Sequence, residues 1–238
     1  MNISTPLPEI QSRLRGFANP DTARILQRFF KTGPGQYGEG DTFLGIKVPV
    51  IRKVAREFPG VSLDTVTALL GSPYHEERLL ALVLLVRTFA ARSESERQAV
   101  YETYLASTRH INNWDLVDIS APHIVGAHLA GGERAPLYQL AQSESLWERR
   151  IAIVATFHFI RSGEFGDTQG IAAHLLADQE DLIHKASGWM LREVGKRDLV
   201  ALETFLLRHY RIMPRTMLRY AIERFPEPRR QGYLNGTL

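Results

Sequence analysis

Trp114-Asp115-Leu116-Val117-Asp118-Ile119 begins a helix of a kind that the chain starts four times. Tyr74-His75-Glu76-Glu77-Arg78-Leu79-Leu80-Ala81-Leu82 opens in a similar way. So do Trp147-Glu148-Arg149-Arg150-Ile151-Ala152-Ile153 and Ile183-His184-Lys185-Ala186-Ser187-Gly188-Trp189. The starts fall at 74, 114, 147 and 183, giving spacings of 40, 33 and 36 residues. Each interval holds two helices and two turns, the period of stacked helical pairs of the HEAT kind. Such stacking puts the equivalent helix of every repeat on a shared concave face. An irregular helical bundle is the alternative.

Outward from these starts, apolar residues recur at helical spacing over 50–58, 76–90, 95–106, 114–129, 146–161, 171–177, 181–194, 199–209 and 214–225. Breaks fall at Gly33-Pro34-Gly35, Pro59-Gly60, Gly71-Ser72-Pro73, Gly131-Gly132 and Ser162-Gly163. No stretch alternates as a strand does. The expectation is an all-α solenoid of HEAT-like repeats, one domain over residues 1–238, with a concave basic cleft.

The 238 residues contain no Cys, which excludes disulfides and thiolate metal sites. Met1 to Pro20 carries Glu9, Arg13 and Arg15 and does not read as a signal peptide. No apolar run reaches the ~18 residues of a membrane span. A soluble, cytoplasmic monomer is expected. The net charge is +3, but it is uneven. Residues 181–238 hold 11 Lys and Arg against 6 Asp and Glu, whereas the rest holds 18 against 20. A basic end on a near-neutral body suits a polyanion, or is simply a solvated surface.

Three constellations can carry chemistry. Trp114 and Asp118 stand at i and i+4, so an indole and a carboxylate share one face, while Leu116 and Val117 point to the core. The bland reading is a core Trp with an Asp satisfied by a helix N-terminus or an Arg. Lys185, Trp189, Arg192 and Lys196 follow at +4, +3 and +4, a stripe of cation, aromatic, cation, cation. Cations meet phosphates and an indole offers a flat face to a sugar or base. Gly188 costs the helix roughly 1 kcal/mol relative to Ala, and lets a neighbouring helix or a DNA strand approach closely. Packing between repeats with snorkelling cations is the alternative. Arg149 and Arg150 follow Trp147, and Arg150 suits either a carboxylate or a phosphate. Arg215 and Arg219, at i and i+4, extend the basic track.

In these stretches the chain resembles the AlkD family of DNA alkylation repair glycosylases. The matching pieces are Phe43-Leu44-Gly45-Ile46-Lys47-Val48-Pro49 with Arg52, Trp114-Asp115-Leu116-Val117-Asp118, Leu146-Trp147-Glu148-Arg149-Arg150 and Lys185-Ala186-Ser187-Gly188-Trp189-Met190-Leu191-Arg192-Glu193. The resemblance implies a HEAT-like solenoid that binds double-stranded DNA carrying alkylated bases and excises N3- and N7-alkylated purines. It implies Asp118 as the catalytic carboxylate and Trp114 and Trp189 as the pair that contacts the sugar. It implies Arg150 as a backbone contact and matches Tyr37 to an aromatic near the N-terminus. Some relatives have a second Trp where this chain has Asn113.

The chemistry is coherent. An N3- or N7-alkylated purine is cationic and leaves readily, so little acid assistance is needed. The sugar then develops oxocarbenium character, which a nearby carboxylate stabilises. Asp118 can also orient the attacking water. Each indole face adds ~0.5–2 kcal/mol toward the same cation. No cofactor and no metal site is expected: the eight His show no ligand spacing. Lys185 as a Schiff-base nucleophile is weighed against a phosphate contact, which its stripe favours. The rival is a non-catalytic HEAT-like scaffold for branched DNA or a protein partner.

Overall fold

The computed structural model describes residues 7–91 and 93–238. The first six residues, part of the N-terminal stretch read above for a signal peptide, lie outside the described residues. Internal packing groups the chain into two compact units, Met1–Ser120 and Ala121–Leu238. The first holds α1 (Leu7–Arg15), α2 (Pro20–Phe29), α3 (Val48–Glu57), α4 (Leu63–Leu70), α5 (His75–Ala91), α6 (Glu94–Ala106) and α7 (Trp114–Asp118). The second holds α8 (Ala127–Leu129), α9 (Ala135–Ala141), α10 (Leu146–Ala155), α11 (Phe157–Arg161), α12 (Gly166–His174), α13 (Asp181–Gly195), α14 (Leu199–His209), α15 (Arg215–Ala221) and α16 (Glu227–Asn235). Among the described residues there is no strand, only an isolated parallel bridge between Thr42 and Tyr74.

The four helix starts that define the period become α5, α7, α10 and α13, and three of these are the hubs of their units. In the first unit α5 packs against α3, α4, α6 and α7. It is therefore buried nearly all round, from His75 to Leu85 apart from Val83. In the second unit α10 packs against α9 and α13, and α13 against α14 and α15. Contacts between helices adjacent or nearly adjacent in the chain dominate, as in a helical repeat fold.

Two expected helices are interrupted. The run 114–129 breaks because Pro122 has no N–H to donate. The hydroxyl of Ser120 also turns back onto the carbonyl of Leu116, 2.6 Å away. The chain then passes through a π-helical turn at Pro122–Gly126 before α8. The run 146–161 divides at Thr156, whose hydroxyl bonds to the carbonyl of Ile153 at 2.6 Å. Helices α1, α2, α4, α9 and α16 are additional to those expected. Two of them carry plain start signals. Asn19 caps α2 by accepting from Thr22, with Pro20 in the first turn. Ser62 caps α4 by accepting from Thr65.

Candidate active site

Helix α7 presents the first constellation as the spacing requires. Asn113 is its cap and accepts from the Trp114 amide at 2.8 Å. Leu116 and Val117 are fully buried. Trp114 and Asp118 are both half-buried, one turn apart. The Trp114 ring stacks on Phe30, with centroids 5.3 Å apart, and meets Phe29 edge-on at 6.0 Å. Its indole N–H donates to the Tyr37 hydroxyl at 3.3 Å. Tyr37, matched above only by resemblance, therefore shares a site with Trp114.

Beneath α7 lies a polar network that sequence reasoning missed. His75, fully buried, places Nδ1 3.1 Å from Asp41 Oδ2 and Nε2 2.8 Å from Asp115 Oδ2. Asp41 also pairs with the Arg78 guanidinium and accepts from Asn113 Nδ2 at 3.2 Å. Burial alone would depress the His75 pKa, but the bonds to Asp115 and Asp41 outweigh it and raise the value to about 9. Burial likewise pushes the Asp41 carboxyl up, and His75, Arg78 and Asn113 together bring it below its ordinary value.

The neighbouring Glu76 accounts for the Phe43–Pro49 stretch. Its carboxylate accepts from the backbone amides of Leu44 at 2.8 Å, Gly45 at 2.8 Å and Ile46 at 3.1 Å. Gly45 sits at φ +81, and a Cβ there would fall 2.0 Å from the Asn19 carbonyl oxygen. Glycine is required on both counts. Glu77 accepts from Gln11, Arg15 and Ser72. One sequence signal for all this exists: His75–Arg78 is a run of charged residues at the head of a helix that is apolar on every side.

In the second unit Trp189 is half-buried on α13, with the Phe157 ring 6.1 Å away. Glu193 stands one turn along the helix. Burial raises the Glu193 carboxyl, but Lys196, Arg197 and the Trp189 indole more than reverse this, leaving it below the usual carboxylate range. Of the two approaches expected at Gly188, the one present is that of a helix. A Cβ there would lie 2.4 Å from the Met217 carbonyl oxygen and 2.5 Å from Tyr220 Cβ, so α15 crosses directly against it.

The expected cations are largely engaged inside this unit. Lys185 pairs with Asp181 at 2.7 Å, Arg192 with Glu223, and Lys196 with Glu193. Arg149 is occupied by Asp178 at 2.6 Å and by the carbonyls of Ser143 and Glu144. Arg150 is buried and donates to the Leu182 carbonyl at 2.7 Å. Arg215 is exposed and reaches the Leu234 carbonyl at 2.9 Å, and Arg219 is exposed one turn beyond it. The first unit thus joins Trp114, Asp118 and Tyr37, and the second joins Trp189 to its cation stripe.

Comparison with known proteins agrees with this architecture. The family model described as DNA alkylation repair enzyme matches residues 10–225. A solved structure, described as a predicted DNA alkylation repair enzyme from Enterococcus faecalis, is similar to this chain at 18% identity. The match covers 88% of this chain and 97% of that one, with a TM-score of 0.69, so the two share a fold. No curated protein gives a significant match. None of the described helices is long and apolar enough to cross a membrane.

Proposed function

This chain belongs to the DNA alkylation repair enzyme family, and from that premise we propose that it is a monofunctional DNA glycosylase. Its substrates are cationic N3- and N7-alkylated purines, such as 3-methyladenine and 7-methylguanine, in double-stranded DNA. The observation that carries this reading is the pairing of Trp114 with Asp118 on one face of α7, both half-buried and hence reachable.

Asp118 is the proposed catalytic carboxylate. It stabilises the cationic sugar as the C1′–N bond breaks, and the electron pair leaves with the base, which departs neutral. Water adds to C1′ and gives up a proton, for which Asp118 is the acceptor. Trp114 and Trp189 offer ring faces to the deoxyribose, and Tyr37 fixes the first of them. Lys185, Arg192, Lys196, Arg215 and Arg219 are the proposed phosphate contacts. Arg149 and Arg150 already have protein acceptors, so their contribution to DNA binding includes holding α10 in place. A carboxylate in a phosphate-binding protein repels its ligand, which makes sense where a transient positive charge must be met. The protein acts as a monomer.

The test is release of methylated base from alkylated duplex DNA. Asp118→Asn is expected to lower the rate about 100-fold or more while DNA binding persists. Equal release by Asp118→Asn overturns the assignment of Asp118. Binding of branched DNA with no release by either protein overturns the glycosylase reading in favour of a scaffold.

A further inference from the structure

We propose that His75 is a positioning residue: as an imidazolium bridging Asp41 and Asp115, it fixes α7 and thereby Trp114 and Asp118. The importance of this role for base release rests on the glycosylase reading above.

The geometry requires the charged ring. Both His75 nitrogens face carboxylate oxygens, at 3.1 and 2.8 Å. Ionised carboxylates only accept, and a neutral imidazole has one N–H. Two such bonds therefore need two donors. The charges then balance within the buried cluster, Asp41 and Asp115 against His75 and Arg78. The charged groups beyond it are fastened elsewhere. Glu76 holds the amides of residues 44–46, and Glu77 holds Gln11, Arg15 and Ser72. His110, on the segment preceding α7, feels Arg78 and is held below its ordinary value, chiefly by burial.

Helix α7 needs such a fastening. It has five residues, too few to persist unaided. Leu116 and Val117 bury its inner face, while its first turn is tied down by Asp115 to His75 and by Asn113 to Asp41. A second route runs through rings. Phe43 stacks on His75 with centroids 4.6 Å apart. Phe30 contacts His75 at 5.1 Å and Trp114 at 5.3 Å. His75 is thus linked to Trp114 both through the α7 backbone and through Phe30.

Deprotonation breaks one of the two bridges, because the neutral ring serves a single carboxylate. The raised pKa, about 9 against 6.5, sets the direction. The stabilisation is complete below about 6.5 and is lost as pH rises through about 9.

Trp114 itself reports the outcome. The chain has three Trp, so Trp147→Phe with Trp189→Phe leaves Trp114 as the sole tryptophan. Its fluorescence is followed from neutral to alkaline pH. A transition with its midpoint near 9 is expected. In the same background, Asp115→Asn should move that midpoint down by about one unit or more, since one carboxylate no longer favours the charged ring. His75→Asn should abolish the transition. A midpoint unmoved by Asp115→Asn overturns the proposal, as does a transition of full size in His75→Asn, which would belong to another group. Base release then separates the two claims. His75→Asn in the otherwise native chain should lower kcat about tenfold or more with DNA affinity retained. An unchanged kcat beside an active native enzyme ends the positioning role. No release by the native protein ends the glycosylase reading, while the emission titration still decides the bridge.

Discussion

The indole N–H of Trp114 donates to the hydroxyl of Tyr37, 77 residues earlier in the chain. The ring that we place against the substrate sugar is therefore oriented by a loop residue. Tyr37→Phe keeps the ring volume and removes only the acceptor, a loss of about 0.5–1.5 kcal/mol. We expect base release to fall several-fold with little change in melting temperature. An unaltered rate would show that Trp114 is held by Phe29 and Phe30 alone.

Glu76 accepts three backbone amides from the loop before α3. Glu76→Gln keeps the shape but removes the charge and replaces an accepting oxygen with a donor, leaving at least one buried amide unpaired. The expected cost is about 1–3 kcal/mol. Thermal unfolding measures it, and amide exchange at residues 44–46 should accelerate more than exchange in α13.

Gly188 lies under the Met217 carbonyl and Tyr220 Cβ, with no room for a methyl group. Gly188→Ala gains helix propensity but forces α13 and α15 apart, and the second effect is larger, about 1–3 kcal/mol. A lower melting temperature is expected. A higher one would mean that the two helices yield without cost.

Glu193 titrates below its ordinary 4.5 because Lys196, Arg197 and Trp189 favour its charged form despite burial. A depressed carboxylate contributes stability that is whole above 4.5 and fades as pH falls through the lower folded value. Acid unfolding of Glu193→Gln should therefore begin from a less stable state and show a weaker pH dependence. The difference between mutant and native protein should shrink toward low pH. A constant difference at all pH values would rule out charge as the cause.

If lability of the cationic base governs selection, release of 7-methylguanine should far exceed that of neutral lesions. Comparable rates for a neutral lesion such as uracil would require a base-reading pocket and would argue against the mechanism.

The period of the four helix starts was sufficient for the fold, because each repeated start lies on a hub or a platform of the packing. Trp114 and Asp118 were legible for the same local reason, being one helical turn apart. The bridge of Asp41, His75 and Asp115 was not. Its partners are separated by 34 and 40 residues, and such pairings leave no periodic trace. Tyr37 was reachable only through resemblance, since its partner is equally remote. The break after α7 has its sequence signal in Pro122, which the apolar run around it masks. Arg149 and Arg150 show the limit of reading charge: a cation beside a repeat boundary finds acceptors in the adjoining loops and on the next helix as readily as on a ligand.

Trp114 spends its one polar hydrogen at home, on Tyr37. It retains no donor with which to tell adenine from thymine or guanine from cytosine. What its ring can offer a ligand is a flat hydrocarbon plate. On the glycosylase reading, a ring fastened in this way treats every nucleotide alike.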